Sequence, residues 1–549
     1  MSKFNTSTHR AAMAPGVMTT IGSAATYEGG VGFKRDAKSE LFLLAVTNMV
    51  SEGTFYESAQ SRDDRYSALV RQVVLDDPGW SFRFLGWLRN SAQMRSASVV
   101  FAAEAVKARV DAKISDHFEV ATPEHYRGGV LSIKAGTRAF VTQGMARADE
   151  PGELVAYWTA KYGKALPKPL KRGLADAVVK LFNEYAYAKY GKGDGFQLAD
   201  LVDLTHPKPK ADWQGELFKH ALDVRHGREV LVPPQLPMLQ HRDALMAVPQ
   251  AERRALMSTP DFDARLKAAG LTWEALSGWL GGALDATFWE SVIPSMGYMA
   301  LLRNLRNFEK AGISREVARQ VANRLADPAE VAKSRQFPYR FLSAYRQVEG
   351  DRWSTALADA LDASVGALPK FPGRTLVLLD TSGSMQRQVS SKSTISYLDV
   401  GTLFAVSLAA SGNDVDFHGF ADGVFRHEIP KGASILRQIE AVDRKVGSVG
   451  HGTQTVAALK ATYKGHDRVI LVTDMQAFPS GRSYGWGSNA GASEAIPANV
   501  PFFGINPAGY ATTALDLSKP NRFEIGGFSD QVFRMIGLLA EGQTGTWPF

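Results

Sequence analysis

The 549-residue chain has no cysteine, which excludes disulfides, thiolate-bound zinc and cysteine nucleophiles and is compatible with a reducing compartment. It also has no long apolar run. A stretch such as residues 41–46 falls far short of the roughly 20 residues needed to span a bilayer. The opening Met1-Ser-Lys-Phe-Asn-Thr-Ser-Thr has no apolar signal-peptide core, so the expectation is a cytoplasmic protein with no membrane partner. Neither a Gly-Lys-Ser/Thr P-loop nor a His-Glu-x-x-His helix occurs. No catalytic constellation is assembled, and the chain is expected not to be an enzyme.

What is present is globular: 45% hydrophobic and 22% charged residues, in a chain too long for one ordinary core. The formal net charge is +7, which hints at a polyanionic partner. Residues 370–549 hold 16 Lys and Arg against 15 Asp and Glu, leaving 47 against 41 in residues 1–369. The positive excess thus belongs to the first part.

The chemistry is densest at Arg374-Thr-Leu-Val-Leu-Leu-Asp380-Thr-Ser382-Gly-Ser384-Met385. Four consecutive apolar residues read as a strand buried on both faces. It runs into a carboxylate and two alternating hydroxyls, at the strand end where open α/β sheets bind ligands. The loop offers oxygen atoms only, which suits Mg2+ or another hard divalent cation such as Mn2+. Two further pieces follow: Thr453 in Gly447-Ser-Val-Gly-His-Gly-Thr-Gln, and Asp474 at the end of a second apolar run, Arg468-Val-Ile-Leu-Val-Thr-Asp474. Asp380, Ser382, Ser384, Thr453 and Asp474 together resemble the metal-ion-dependent adhesion site (MIDAS) of von Willebrand factor A domains. The structural alternative is a strand that merely ends in a helix N-cap.

Residues 1–35 are rich in Ser, Thr, Ala and Gly and read as a flexible arm. From 36 to 369 nearly every apolar run has helical spacing, including 129–142 and 169–190, with turn signals such as Asp77-Pro-Gly and His206-Pro-Lys-Pro between them. Helices joined by short connections pair antiparallel, and a long series of pairs makes an α-solenoid of degenerate repeats. Beyond Pro369-Lys-Phe-Pro372-Gly373 the pattern alternates. Strands are expected at 376–380, 415–420, 424–427, 468–474 and 500–505, with helices at 396–410, 433–442, 456–462 and 530–539. That alternation predicts a doubly wound parallel sheet over 370–549. A Gly/Ser loop at 478–492 with Tyr484 and Trp486 is placed to rim the metal.

The most basic stretch runs from Lys161 to Lys192 and includes Lys171, Arg172 and Lys189. Leu174, Val178, Leu181, Phe182 and Tyr185 give it a helical apolar stripe, so the cations lie on the outer face. A solvated helix face and a polyanion-binding face both fit.

An all-helical part followed by a von Willebrand A domain resembles the Ro 60 kDa ribonucleoprotein family, in its bacterial or phage-type form. The matching stretches are Ser51-Glu-Gly-Thr-Phe-Tyr56, Met299-Ala-Leu-Leu-Arg303-Asn304-Leu305, Pro338-Tyr-Arg-Phe-Leu-Ser-Ala344 and the metal loop. The resemblance implies a ring of HEAT-like helical repeats, the TROVE module, closed by the A domain. It further implies a monomeric, non-enzymatic scaffold in RNA quality control, binding small structured (Y-like) RNA outside and single-stranded ends of misfolded RNA through the hole. An exoribonuclease is a further candidate partner. Lys189 and His206 align with family contacts to structured RNA, Lys192 stands beside another such position, and Arg303 and Arg306 lie on a helix the family places near the hole. The chain departs from the family pattern in lacking one Gly of the Ser-Glu-Gly-Gly-Thr box, in Phe337 for a usual His, and in Met475-Gln476 where Asn-Glu is common.

Two readings of other classes stand beside this one. The A domain alone can use its cation to capture a partner protein's carboxylate, without RNA. A metal-dependent phosphohydrolase also places an Asp after an apolar strand, but Ser382 occupies the position of its second acid, and a neutral hydroxyl is no general acid or base.

Overall fold

The computed structural model describes residues 17–48, 50–122, 131–191, 195–228, 230–348, 351–365, 370–430, 432–478, 491–527, 532, 535 and 547–549. Its first element corrects the flexible-arm expectation. Strands β1 (Thr20–Ala25) and β2 (Val31–Arg35) form an antiparallel hairpin, turned at Gly29 with φ 80°. Gly is suited to that left-handed turn because it has no Cβ to clash. The hairpin's anchors are far away in sequence, so composition did not reveal them. Thr20 donates its hydroxyl to Asp516 at 2.9 Å, and Arg35 makes two 2.7 Å bonds to the Glu524 carboxylate.

Packing divides the chain into two units: Met1–Leu69 with Gln336–Ser343 and Ala358–Phe549, and Val70–Arg335 with Ala344–Leu357. The boundary read from sequence, 369/370, marks the change of pattern but not the packing. Helix Ala37–Thr47 shows why: Ser39 and residues 41–47 are buried all around it, and it packs on a late strand of the first unit. A helix apolar on every side needs a core around it.

In the second unit, helices pack on those next or next but one along the chain, with Lys168–Leu181 against Ala139–Gln143 and Leu198–Thr205, and Tyr298–Ala311 against Arg315–Ala326 and Pro328–Ser334. Two expectations are corrected. The supposed helix at 129–142 contains β4 (Leu131–Gly136), paired with β3 (His117–Thr122) in a two-stranded ribbon, and only then the short helix Ala139–Gln143. Leu131, Ile133 and Ala135 recur every second residue, which is strand spacing. The segment 169–190 is two helices, Lys168–Leu181 and Glu184–Tyr190, because Asn183 leaves the first and accepts the Ala186 N–H as an N-cap at 2.9 Å.

The first unit holds the predicted doubly wound sheet. Strands β5 (Thr375–Asp380), β6 (Val415–Phe420), β7 (Val424–Arg426), β8 (Arg468–Val472) and β9 (Phe502–Asn506) are joined by β10 (Thr512–Thr513) and β11 (Arg522–Gly526), which sequence reading missed. The sheet order is β11-β9-β8-β5-β6-β7, parallel throughout except for the β6/β7 hairpin. β10 instead pairs with β2. All six residues of β5 and all five of β8, β9 and β11 are buried, as expected for strands covered on both faces. The predicted last helix, 530–539, falls almost wholly outside the described residues.

Both partners of the Arg35–Glu524 pair are fully buried. Arg35→Met alone strands a buried carboxylate and is expected to cost about 3–5 kcal/mol, read as a lower urea midpoint. The double variant Arg35→Met, Glu524→Leu should lose less than either single change, because no buried charge is left without its partner.

Candidate metal centre and nucleic-acid interface

The chain runs from β5 to β6 on one side and then returns to place β8 on the other side of β5. This reversal is the switch point where α/β sheets open a crevice beyond their strand ends. Leu379 stands opposite Val472, so Asp380 ends its strand level with Thr473, and Asp474 follows. Asp380 is fully buried and Asp474 is 1% exposed. Asp380 accepts the Ser382 N–H at 2.9 Å and the Thr473 hydroxyl at 2.6 Å. The Ser382 and Ser384 hydroxyls lie 3.3 Å apart. Asp474 accepts the Gln476 N–H at 3.1 Å through Oδ1, while its buried Oδ2 accepts no hydrogen bond among the described residues.

Burial pushes the Asp380 carboxyl up to about 6, against the pull of Thr473 and Ser382. Asp474 is pushed up to about 7 by burial and then by the Asp380 charge, partly offset by the nearby Ser384 hydroxyl and the Gln476 N–H. Two carboxylates facing each other in a low dielectric repel. A divalent cation between them turns that repulsion into attraction, and an oxygen-only donor set suits a hard one. The residues therefore fit Mg2+ or Mn2+.

Thr453 is buried on its own loop. Asp422, just after β6, accepts the His451 and Gly452 N–H groups at 3.1 and 3.2 Å, and Gly383 donates to the His451 carbonyl at 3.1 Å. The Thr453 loop is thereby tied to the Asp380 loop. Sequence reading missed Asp422 and Thr473 and noted Gln476 only as a departure from the family pattern; for Asp422 the available signal was the turn pair Asp422-Gly423. Met475 sits at φ 66°, a left-handed conformation that costs a side-chain-bearing residue about 1–2 kcal/mol. The Gly/Ser loop with Tyr484 and Trp486, and a Gly-x-Ser-x-Gly string at 481–485, lie outside the described residues.

The Ser51–Tyr56 stretch reaches the same neighbourhood. The Glu52 carboxylate accepts from the Ser391 N–H and hydroxyl at 2.9 and 2.8 Å. The Phe55 N–H donates to the Tyr510 hydroxyl at 3.0 Å. Tyr56 interacts with Ser384 and donates to Glu28. Burial, then that bond to Glu28, pushes the Tyr56 hydroxyl far above its ordinary value.

In the second unit, helix Lys168–Leu181 buries Leu170, Gly173, Leu174, Ala177 and Val178, and turns Lys168, Lys171 and Arg172 outward. These three line a cleft of about 1230 Å3 with Arg138, Lys180, His206, Lys208 and Lys210. Asp176 is the one acid there, 3.4 Å from Arg138. His206 ends helix Leu198–Thr205 at φ 48°, an uncommon position for a residue with a Cβ. The structure thus brings together Lys171, Arg172 and His206 of the predicted set. Lys189 does not line the cleft; its ammonium lies 5.8 and 5.3 Å from the Tyr185 and Tyr190 ring centres. Lys192 is outside the described residues. Arg303 and Arg306 are exposed on helix Tyr298–Ala311. Asn304 between them is buried and bonds the Ala300 carbonyl at 2.8 Å, so it holds backbone rather than a ligand.

Comparison with known proteins adds the following. The TROVE domain model matches residues 265–373. RNA-binding protein RO60 of Deinococcus radiodurans is 26% identical over 355 residues, which is 61% of this chain and 61% of that protein. The chain therefore matches less than two thirds of that relative's length. Telomerase protein component 1 of Mus musculus is 39% identical over 80 residues, 14% of this chain and 3% of that protein. The crystal structure of the Deinococcus radiodurans Ro (Rsr) protein superposes with a TM-score of 0.58 at 19% identity, covering 92% of this chain and 100% of that one. That identity speaks to the fold alone. In the TROVE match, the RO60 relative and the shared fold, the chain is similar to Ro 60 kDa ribonucleoproteins, and it carries a TROVE domain match over residues 265–373.

Proposed function

We propose that this protein is an RNA-binding scaffold whose basic cleft holds a small structured RNA. The observation that carries the reading is the cleft's charge: seven lysines and arginines and His206 around one aspartate. Phosphates are the ligand such a surface attracts most strongly, and a shape-selective RNA helix presents them in rows. The name of the Deinococcus relative points the same way. Single-stranded ends of misfolded RNA form the second ligand, with Arg303 and Arg306 as their contacts; among the described residues no carboxylate pairs with either. The protein acts without catalysis and offers an exoribonuclease a held substrate.

In the same proposal Asp380, Ser382, Ser384, Thr453 and Asp474 hold Mg2+ or Mn2+. When bound, the cation supplies positive charge in a cavity that otherwise repels itself. The orphaned Oδ2 of Asp474 favours this over a bare N-cap. Capture of a partner protein's acid remains the second reading of this site, since a hard cation accepts an external carboxylate as readily as it does these.

Calorimetry with Mg2+ tests the metal. Asp380→Ala, checked for folding by circular dichroism, is expected to lose binding; undiminished affinity in a folded variant sinks the assignment. Steady phosphatase turnover by the wild type, lost in this variant, would favour the hydrolase instead.

For RNA, affinity for a cognate stem-loop should fall steeply with salt, and each phosphate contact removed should lower the log-log slope by about 0.7 to 0.9. Replacing Lys168, Lys171, Arg172 and Lys208 by Ala should weaken binding by about 1 kcal/mol each, with a smaller effect from Lys189→Ala. Equal affinity of wild type and quadruple variant would return the cleft to a solvated surface. A hairpin with a 3′ single-stranded tail should bind more tightly than its blunt counterpart, and Arg303→Ala with Arg306→Ala should erase that difference while sparing the stem-loop. Equal binding of tailed and blunt hairpins by the wild type rules out the single-strand site.

A further inference from the structure

We propose that a second pocket, beside the basic cleft, takes a terminal phosphate group: the phosphomonoester at one end of the RNA that the cleft holds. This assignment rests on the RNA reading above for the polymer, while the pocket's own residues point to the phosphate.

The pocket has a volume of about 320 Å3 and shares Arg138, Lys168 and Arg172 with the larger cleft, so one wall is common to both. Its other residues come from the end of helix Arg95–Asp111 and from the base of the β3/β4 ribbon: Arg109, Lys113, Ile114, Asp116 and Thr137. Asp116 is the one acid against five lysines and arginines, and its carboxylate already accepts the Thr137 N–H at 3.3 Å.

Arg109 is the decisive group. It is only 4% exposed, yet among the described residues no carboxylate pairs with it. Nε donates to the Thr137 hydroxyl at 3.0 Å, Nη2 donates to the Ser115 carbonyl at 2.6 Å, and the guanidinium lies 4.8 Å from the Phe118 ring centre. All three partners are neutral. Nη1 makes no hydrogen bond among the described residues. A buried cation calls for a counter-charge, and Arg109 lines a pocket in which an anion can supply it.

The walls add positive potential. Helix Lys168–Leu181 begins here with Lys168 and Pro169, and its first turn has neither an acidic residue nor a side-chain cap. Such a helix end carries about half a positive charge and free N–H groups, which suit a phosphate. Lys113, Lys168 and Arg172 make no ion pair among the described residues.

Charge and room favour a terminal phosphate over an internal one. An internal phosphate has a single charge, and the strand must enter and leave beside it. A phosphomonoester ends the strand, carries about −1.5 to −2 charge and offers three acceptor oxygens. A small pocket with five cations matches that group, whereas a row of helix phosphates matches the longer cleft. Arginine suits it further, because its planar fork gives one phosphate two parallel bonds.

The test uses the full-length protein and one stem-loop RNA made with a 5′-phosphate, with a 3′-phosphate or with hydroxyls at both ends, read by fluorescence anisotropy at fixed salt. One phosphorylated form is expected to bind about tenfold more tightly than the hydroxyl form, and which one identifies the end. Arg109→Gln and the exposed Lys113→Gln should each remove most of that preference. Lys210→Ala, in the cleft but not in the second pocket, should weaken all three forms alike. A dinucleotide phosphorylated at the same end, too short to fill the cleft, should raise the Tm of the wild type but not of Lys113→Gln. Equal affinity of the wild type for all three RNAs, or a preference that both glutamine variants keep, overturns the proposal and leaves the cleft reading intact. No stem-loop binding, with the dinucleotide still raising the Tm only where Lys113 is present, removes the RNA reading and keeps the phosphate pocket. No response to either ligand sinks both.

Discussion

Two carboxylates buried side by side at the carboxyl edge of a parallel sheet are the constraint around which the first unit is arranged. Asp380 and Asp474 are brought there by β5 and β8, strands whose apolar sequences leave no choice but burial on both faces. Burial raises both carboxyls and the Asp380 charge raises Asp474 further, partly relieved by Thr473, Ser382 and Gln476. The surrounding loops are held to the pair by backbone bonds: Asp422 shapes the Thr453 loop and Gly383 ties it to the Asp380 loop.

The N-terminal segment belongs to the same construction. Arg35 reaches Glu524 in β11 with both side chains out of water, and the Tyr510 carbonyl takes a further bond at 2.8 Å. The buried pair fixes where the hairpin lies more than it adds net stability. Its consequence is that Thr26 and Tyr27 arrive on the loop after Asp474, and that Tyr56 of the Ser51–Tyr56 box meets Ser384. Residues nearly 450 positions apart in the chain form one shell.

In the second unit the governing interaction is long-ranged. Helix Lys168–Leu181 spends its small and branched residues on packing, which leaves its cations on the other face. The turn at His206 and the lysines after it complete a concave basic surface. Concavity matters because low-dielectric walls concentrate the field of the charges that line them.

The local features were legible in the sequence because they depend on near neighbours. Apolar runs gave β5 and β8, the hydroxyl spacing gave the oxygen-bearing loop at Asp380, and the helical stripe placed Lys171 and Arg172 outward. Features carried by distant partners were not legible. The hairpin at 20–35 looked like a mobile arm because Glu524 and Asp516 hold it from the far end of the chain. Leu131–Gly136 is a different case, since its alternating Leu131, Ile133 and Ala135 are a local strand signal and its partner His117–Thr122 lies close in sequence. Glu28 carried no motif at all; only the folded chain sets it beside Tyr56. Sequence by itself determined β5 to β9, the carboxylates and hydroxyls at the ends of β5 and β8, and the charge of the helical part, since burial and period are local properties. Tertiary structure alone decided what surrounds them, because hydrogen bonds and charges act through space and take no account of distance along the chain.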